Sequence, residues 1–279
     1  MELIVQPDDG IDPLVEAVKT AQRRVDILIF RFDRAGLEKA LEDAVDRGVA
    51  VRAMIAHTNR GGEGRLRKLE LRLLARGVTV SRTADDLIRY HGKMMVVDDQ
   101  LFVLGFNYTK TDIEKSRSFG LVATNKALVA AAEALYDADN TRQPYTPQCD
   151  EDLVVSPECS RVALTRFIKD AEKQILIYDE KLTDRVILKL LQSKAKNGLD
   201  VRVIGKVGKG AADVKAVRLK ERRLHVRAII VDGKAVSIGS QSLRKLELDS
   251  RREIALICRE SAVAKRVAQV FELDWEKSN

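Results

Sequence analysis

The sequence predicts an α/β protein assembled from two tandem copies of one layered unit. Three observations point there. Short β-branched runs alternate with segments of helical period, the pattern of strands covered by helices. The chain also repeats itself: Leu3-Ile4-Val5-x-Pro7 returns as Leu153-Val154-Val155-x-Pro157, and Gly48-Val49-Ala50-Val51-Arg52 as Gly198-Leu199-Asp200-Val201-Arg202. Finally, one octapeptide pattern occurs in both halves, as His91-Gly92-Lys93-Met94-Met95-Val96-Val97-Asp98 and His225-Val226-Arg227-Ala228-Ile229-Ile230-Val231-Asp232.

The first copy opens with a β-branched strand over 2–6. A helix over 12–22 follows, with Pro13 well placed at its start behind Asp12. The run 24–30 reads as a strand and resembles Gln174 to Tyr178. Helix 35–47 stops at Gly48, and strand 49–56 comes next. Helix 64–76 carries Leu66, Leu69 and Leu73 on one face, carries Arg65, Lys68, Arg72 and Arg76 on the other, and stops at Gly77. Strands are expected at 93–97, 101–105 and 118–124, and a last helix at 125–138. The offset between the copies falls from 150 to 134 at the histidines, so the second copy lacks about sixteen residues before His225. The organisation expected is repeat one over 1–140, a linker over 141–152 that contains Pro144 and Pro147, and repeat two over 153–279.

Composition narrows the function. No run approaches the roughly 18 apolar residues of a membrane span, and the first residues have neither the basic nor the apolar region of a signal peptide. Cys149, Cys159 and Cys258 are odd in number and lack metal-ligand spacing, so they are expected to be free thiols in a reducing compartment, and the protein cytoplasmic. The net charge of +7 is uneven: residues 1–140 carry −1 and residues 141–279 carry +8. Lys206, Lys209, Lys215, Arg218, Lys220, Arg222, Arg223 and Arg227 crowd one segment. That asymmetry suggests a polyanionic partner, nucleic acid or an anionic membrane surface, against the plainer reading of a solvated face.

The octapeptides carry the chemistry. Side chains alternate along a strand, so His91 and Lys93 share a face, as do His225 and Arg227, and each pair can address one phosphate. Asp98 and Asp232 lie at odd separation and are expected to hold the hairpin turn. This duplicated pattern resembles the phospholipase D superfamily, whose hallmark is His-x-Lys-x4-Asp followed by a Gly-rich turn and an Asn. The resemblance spans nearly the whole chain. It implies two α/β repeats packed about a pseudo-two-fold axis, both histidines at one central site, and cleavage or transfer at a phosphodiester without metal or other cofactor. One histidine would form a phosphohistidine and the other would protonate the leaving oxygen.

The departures from the family pattern are specific. Asn107 stands sixteen residues beyond His91 rather than seventeen, and its counterpart in repeat two is Ser242. The acidic residue that orients a histidine in the family is kept as Glu253, with Ser118 at the equivalent place in repeat one. Arg227 stands where the family has Lys, and its planar fork is not a neutral replacement for an ammonium. The expected catalytic set is therefore His91, His225, Lys93, Arg227 and Glu253, with Lys93, Asn107, Arg227 and Ser242 on the phosphate. Pairing Glu253 with His225 in its own repeat favours His225 as nucleophile.

The function expected is a phosphodiesterase, on nucleic acid rather than phospholipid because basic residues cluster just before His225. Two alternatives stay open: a phospholipase D or phosphatidyltransferase, and a degenerate phosphate-binding module. Other features read as structural. His57 is incidental, Gly61-Gly62-x-Gly64 lacks the Lys-Ser/Thr of a phosphate loop, Asp85-Asp86 and Asp98-Asp99 are turns rather than metal ligands, and Trp275 packs.

Overall fold

The computed structural model describes residues 1–59, 62–149 and 152–279. The first repeat runs β1 (Glu2–Gln6), α1 (Asp12–Thr20), β2 (Arg24–Ile29), α2 (Ala35–Asp46), β3 (Ala50–Ile55), α3 (Glu63–Ala75), β4 (Thr79–Arg82), β5 (Arg89–Tyr90), β6 (Met94–Val97), β7 (Gln100–Leu104), α4 (Lys110–Lys115), β8 (Ser116–Ala123) and α5 (Lys126–Thr141). The second runs β9 (Leu153–Val155), α6 (Ser160–Lys169), β10 (Gln174–Leu182), α7 (Arg185–Lys196), β11 (Asp200–Val207), β12 (Lys215–Val217), β13 (Arg223–Leu224), β14 (Arg227–Val231), β15 (Ala235–Gly239), α8 (Lys245–Asp249), β16 (Arg251–Arg252), β17 (Ile254–Cys258) and α9 (Ser261–Glu276).

Local chemistry explains the main elements. Strand β2 is buried on both faces between parallel β3 and antiparallel β6, hence its nearly unbroken apolar run. Its one acidic residue, Asp26, is met by a forked contact from Arg52 at 2.6 and 2.7 Å. Helix α2 buries Leu37, Ala40, Leu41 and Ala44, one helical stripe. Asn125 and Asp184 cap α5 and α7 by accepting backbone N–H bonds, which supplies the exposed donors of the first turn.

The two sheets have the same topology. Along their main paths one is ordered β1-β8-β7-β6-β2-β3-β4 and the other β9-β17-β15-β14-β10-β11-β12, so each strand on one path has a counterpart on the other. Strand β13 of the second repeat adds to the first sheet beside β8. The residues missing from repeat two are those of α3: β11 passes to β12 through a short loop. Three apolar clusters result. One lies between the first sheet and α1, α2 and α3, and one on the corresponding side of the second sheet. The third is shared, joining Met94, Val96, Phe119, Tyr178, Ile230 and Phe271 among others from both repeats, with α5 and α9 over it. Burying each such side chain contributes about 1.5–3 kcal/mol.

Two buried ion pairs cross the junction in matching positions. Arg117 meets Asp274 at 2.8 Å, and Arg252 meets Asp139 at 3.0 Å. The backbones close up where the repeats touch. A Cβ on Gly105 would lie 3.2 Å from the Gly239 carbonyl oxygen of the other repeat.

Several expectations need correction. β4, β5 and α4 were not expected, because each is too short to show a period; β4 is a half-exposed edge. Helix α5 continues to Thr141, past the expected end at 138. The cysteines are not all free. Cys149 and Cys159 form a disulfide, since the chain turns back through β9 and brings the junction segment against the start of α6, with Cα atoms 5.0 Å apart. The cysteine count therefore no longer supports a reducing compartment. Cys258 is free and buried in β17. Among the described residues, no helix is long and apolar enough to cross a membrane.

Candidate active site

Each motif is fixed at both ends. At the far end, Asp98 and Asp232 occupy the left-handed region, φ 49° and 54°, as the first residues of tight hairpins. Asp98 accepts backbone N–H bonds from Gln22, Arg23 and Arg24 at 2.8–3.0 Å, and Asp232 accepts from Glu172, Lys173 and Gln174 over the same range. These bonds hold both carboxyls below their ordinary range, although burial opposes them. Each aspartate thus ties its hairpin to the start of the neighbouring strand.

At the near end, each motif is held by the other repeat. The His91 and Gly92 N–H groups both donate to the Arg252 carbonyl, at 2.8 and 3.0 Å, and β5 runs parallel to β16. The His225 N–H donates to the Arg117 carbonyl at 3.3 Å, and β13 runs parallel to β8. Arg117 and Arg252 are also the arginines of the buried ion pairs. Sequence reasoning missed both, because a buried arginine in a strand looks like any charged residue until its partner 157 or 113 positions away is known.

Around His91 the contacts are short. Its Nδ1 is 2.8 Å from Glu253 Oε2, and its Nε2 is 2.8 Å from Lys93 Nζ. The ring stands edge-on to Phe30, centroids 4.5 Å apart, and the Lys93 ammonium sits 5.2 Å from the same ring. Burial first, then the Lys93 and Arg227 charges, hold His91 well below the ordinary histidine range. The neutral imidazole donates from Nδ1 to Glu253 and presents its Nε2 lone pair to Lys93. Burial also lowers Lys93 to about 7, against the pull of Glu253. Glu253 itself is raised by burial.

Around His225 the arrangement differs. Its Nδ1 lies 3.6 Å from Asp112 Oδ2, too far for a hydrogen bond, and is buried without another partner among the described residues. Burial and the Arg227 charge depress it more than Asp112 raises it. Asp112 is held at about 2 by His225, Asn107 and Arg223, against burial. Asn107 donates from its backbone N–H and from Nδ2 to Asp112, leaving Oδ1 unpartnered. Arg227 reaches out toward Glu180 at 3.4 Å. Ser242 donates its hydroxyl to buried Asp179, and Ser118 donates to the His225 carbonyl. The field is common to both motifs: Arg227 acts on His91, and Lys93 acts on His225.

One expectation is overturned. Glu253 lies on His91, not on His225, because the strand after each motif hairpin faces the opposite repeat. The argument for His225 as nucleophile falls with that pairing. Among the secondary candidates, His57 is exposed, with its backbone N–H on Thr83. Trp275 stacks on Phe271, and Asp86 accepts from the Tyr90 hydroxyl. Gly61 lies outside the described residues. Beside Asp112 opens a cavity of about 480 Å³ lined by Arg31, Asn59, Arg65, Thr109 and Arg223 among others. Arg31 and Arg65 were not singled out for the site, since neither lies near a motif in sequence.

A family model described as "Cardiolipin synthase, PLD-like domain" matches residues 14–139 and 164–275. A comparison with curated proteins found no match. Polyphosphate kinase from Porphyromonas gingivalis is similar over 98% of this chain and 50% of its own, with a TM-score of 0.80 and 18% identity, so this chain spans half the length of that protein. Phosphatidylserine synthase from Haemophilus influenzae Rd KW20 is similar over 99% of this chain and 85% of its own, with a TM-score of 0.71 and 11% identity.

Proposed function

Because the chain belongs to the phospholipase D superfamily, through its match to the cardiolipin synthase, PLD-like domain, we propose that it cleaves or transfers phosphodiesters by way of a phosphohistidine. The observation that carries this reading is the hydrogen bond of His91 to Glu253. It favours the tautomer with Nδ1–H, which makes Nε2 the nitrogen that attacks once Lys93 moves onto phosphate.

In this mechanism His91 Nε2 forms a bond to phosphorus while the bond to the leaving oxygen breaks. His225, as the imidazolium, gives that oxygen its Nε2 proton and is left neutral. Water or an alcohol then attacks the phosphohistidine, His225 takes the incoming proton, and the P–N bond breaks to restore His91. Lys93 and Arg227 stabilise the charge on the non-bridging oxygens without a metal ion, and the second N–H of the Asn107 amide adds a donor. Lys93 begins the cycle on His91 Nε2, so bound phosphate must draw its ammonium away before attack. Asp98 and Asp232 hold the two hairpins rather than touching substrate.

The preferred substrate class is a polyanion, nucleic acid first. Arg31, Arg65 and Arg223 around the cavity support this, as do exposed Lys206, Lys209, Arg218 and Lys220 on the same repeat as His225. Phosphatidyl transfer is the second reading, favoured by the description of the matching family. The deciding experiment offers single-stranded DNA, duplex DNA, RNA, phosphatidylglycerol vesicles and the minimal diester bis(4-nitrophenyl) phosphate, each with excess chelator. Turnover of the minimal diester with chelator is expected. Activity that strictly requires added metal ion would overturn the mechanism.

A further inference from the structure

The two halves of the site differ in where their carboxylates stand. For His91, the carboxylate is on the strand, Glu253 in the residue before β17. Its helix equivalent in the same repeat, Glu247 on α8, is buried and paired with Arg244 and Arg251. For His225, the strand position is Ser118, which has no charge and donates its hydroxyl to the histidine's own carbonyl. The helix position, Asp112 on α4, lies 3.6 Å from His225 Nδ1. That nitrogen is buried and has no other partner among the described residues.

We propose that Asp112 is the positioning residue for His225, having taken over from α4 the role that Ser118 lost on β8. The inference rests on the reading of His225 as leaving-group acid. Closing the gap from 3.6 Å to an ordinary 2.8 Å requires a movement of about 0.8 Å, the kind of tightening that accompanies substrate binding. The surrounding bonds direct that movement. Asn107 holds Asp112 Oδ2 through two N–H groups, and Arg223 takes Oδ1, so the carboxylate keeps its orientation while His225 swings onto it. Three charged groups besides Asp112 act on His225, namely Arg227, Lys93 and Arg223, and all of them disfavour the imidazolium. Asp112 is thus the group that favours the proton-bearing state a general acid needs.

The function assigned to Asp112 predicts one tautomer. With Asp112 as acceptor, His225 keeps a proton on Nδ1, and Nε2, facing the substrate, carries the transferable second proton when the ring is imidazolium. The chain has three histidines, so selective 15N-histidine labelling separates them. In the wild-type protein the 15N spectrum is expected to show His225 as the Nδ1–H form, and Asp112→Asn is expected to lose that preference. Turnover by folded Asp112→Asn should fall at least about a hundredfold. The double variant Asp112→Asn/Ser118→Glu, which returns a carboxylate to the strand, should recover at least about tenfold. Wild-type His225 as the neutral Nε2–H tautomer, with no proton on Nδ1, overturns the proposal, with no need for any variant to fold. So does Asp112→Asn at near-native turnover. The spectrum requires no turnover, so loss of this inference is distinguishable from failure of the phosphodiesterase reading, which the minimal diester tests.

Discussion

Glu253 of the second repeat accepts a hydrogen bond from His91 of the first, Nδ1 to Oε2 at 2.8 Å, across 162 residues of sequence. The site is therefore shared in its bonding as well as its location, and neither repeat could orient its own histidine alone.

This pairing predicts where a covalent intermediate forms. During turnover of a diester, quenching under non-acidic conditions and peptide mapping should place the phosphoryl label on His91. His91→Ala and His225→Ala should each lower turnover at least about a hundredfold, the scale of a lost nucleophile or general acid. A label on His225, or near-native rates in either variant, would contradict the assignment.

Lys93 predicts opposite pH trends for activity and stability. Burial holds it at about 7 against an ordinary 10.5. The free enzyme loses this phosphate-binding charge as pH rises through about 7, so kcat/KM should decline there. Over the window from about 7 to 10.5, the unfolded chain holds a proton that the folded chain has released, so the Lys93 contribution to stability rises with pH. Lys93→Arg keeps its charge throughout and should move the alkaline decline to higher pH. A wild-type profile flat to pH 9 would show that Lys93 is not the titrating group.

The junction pairs predict a large cost for a single truncation. Arg117→Met leaves Asp274 buried with the Tyr178 hydroxyl as its remaining partner among the bonds described. Removing one member of such a pair costs about 3–5 kcal/mol. Denaturant unfolding should show that loss, and adding Asp274→Asn should recover a substantial part of it by removing the stranded charge. Equal stability of wild type and Arg117→Met would mean that the pair is open to water.

How much of this was legible in the sequence follows from length scale. The duplication, the hairpins at Asp98 and Asp232, and the main strands leave local marks: β-branched runs, an aspartate before a turn, and repeated spacing. β4 and α4 leave none, because four to six residues cannot display a period. At the site, the family pattern named His91, Lys93, His225 and Glu253, but not which carboxylate meets which histidine. That pairing depends on β17 of one repeat facing the motif of the other, a tertiary fact with no local signal. Asp112 was missed for the same reason, since only the fold brings it to His225 and leaves its equivalent Glu247 paired with arginines. The disulfide was missed because an odd count of cysteines says nothing about which two the chain brings together.

Arg227 and Glu180 give the last prediction. In repeat one the motif cation, Lys93, lies over Phe30 and stays inside the site. The repeat offset of 150 sets Glu180 opposite Phe30 in sequence, within the bulge between Asp179 and Lys181, and Arg227 reaches 3.4 Å toward it. Glu180 is mostly exposed, so the pair itself contributes little to stability, about 0–1 kcal/mol. Its effect is on geometry: it draws one arm of the guanidinium outward while buried Nε has no partner among the described residues. Arg227→Lys restores a compact charge too short to serve both places, and turnover should persist within about tenfold. Glu180→Gln should leave the fold intact and lower KM, because the guanidinium is then free for phosphate. If Arg227→Lys abolishes turnover while the protein remains folded, the fork makes a two-point contact to substrate that an ammonium cannot replace, and the arginine is a specific requirement of this site rather than a tolerated change.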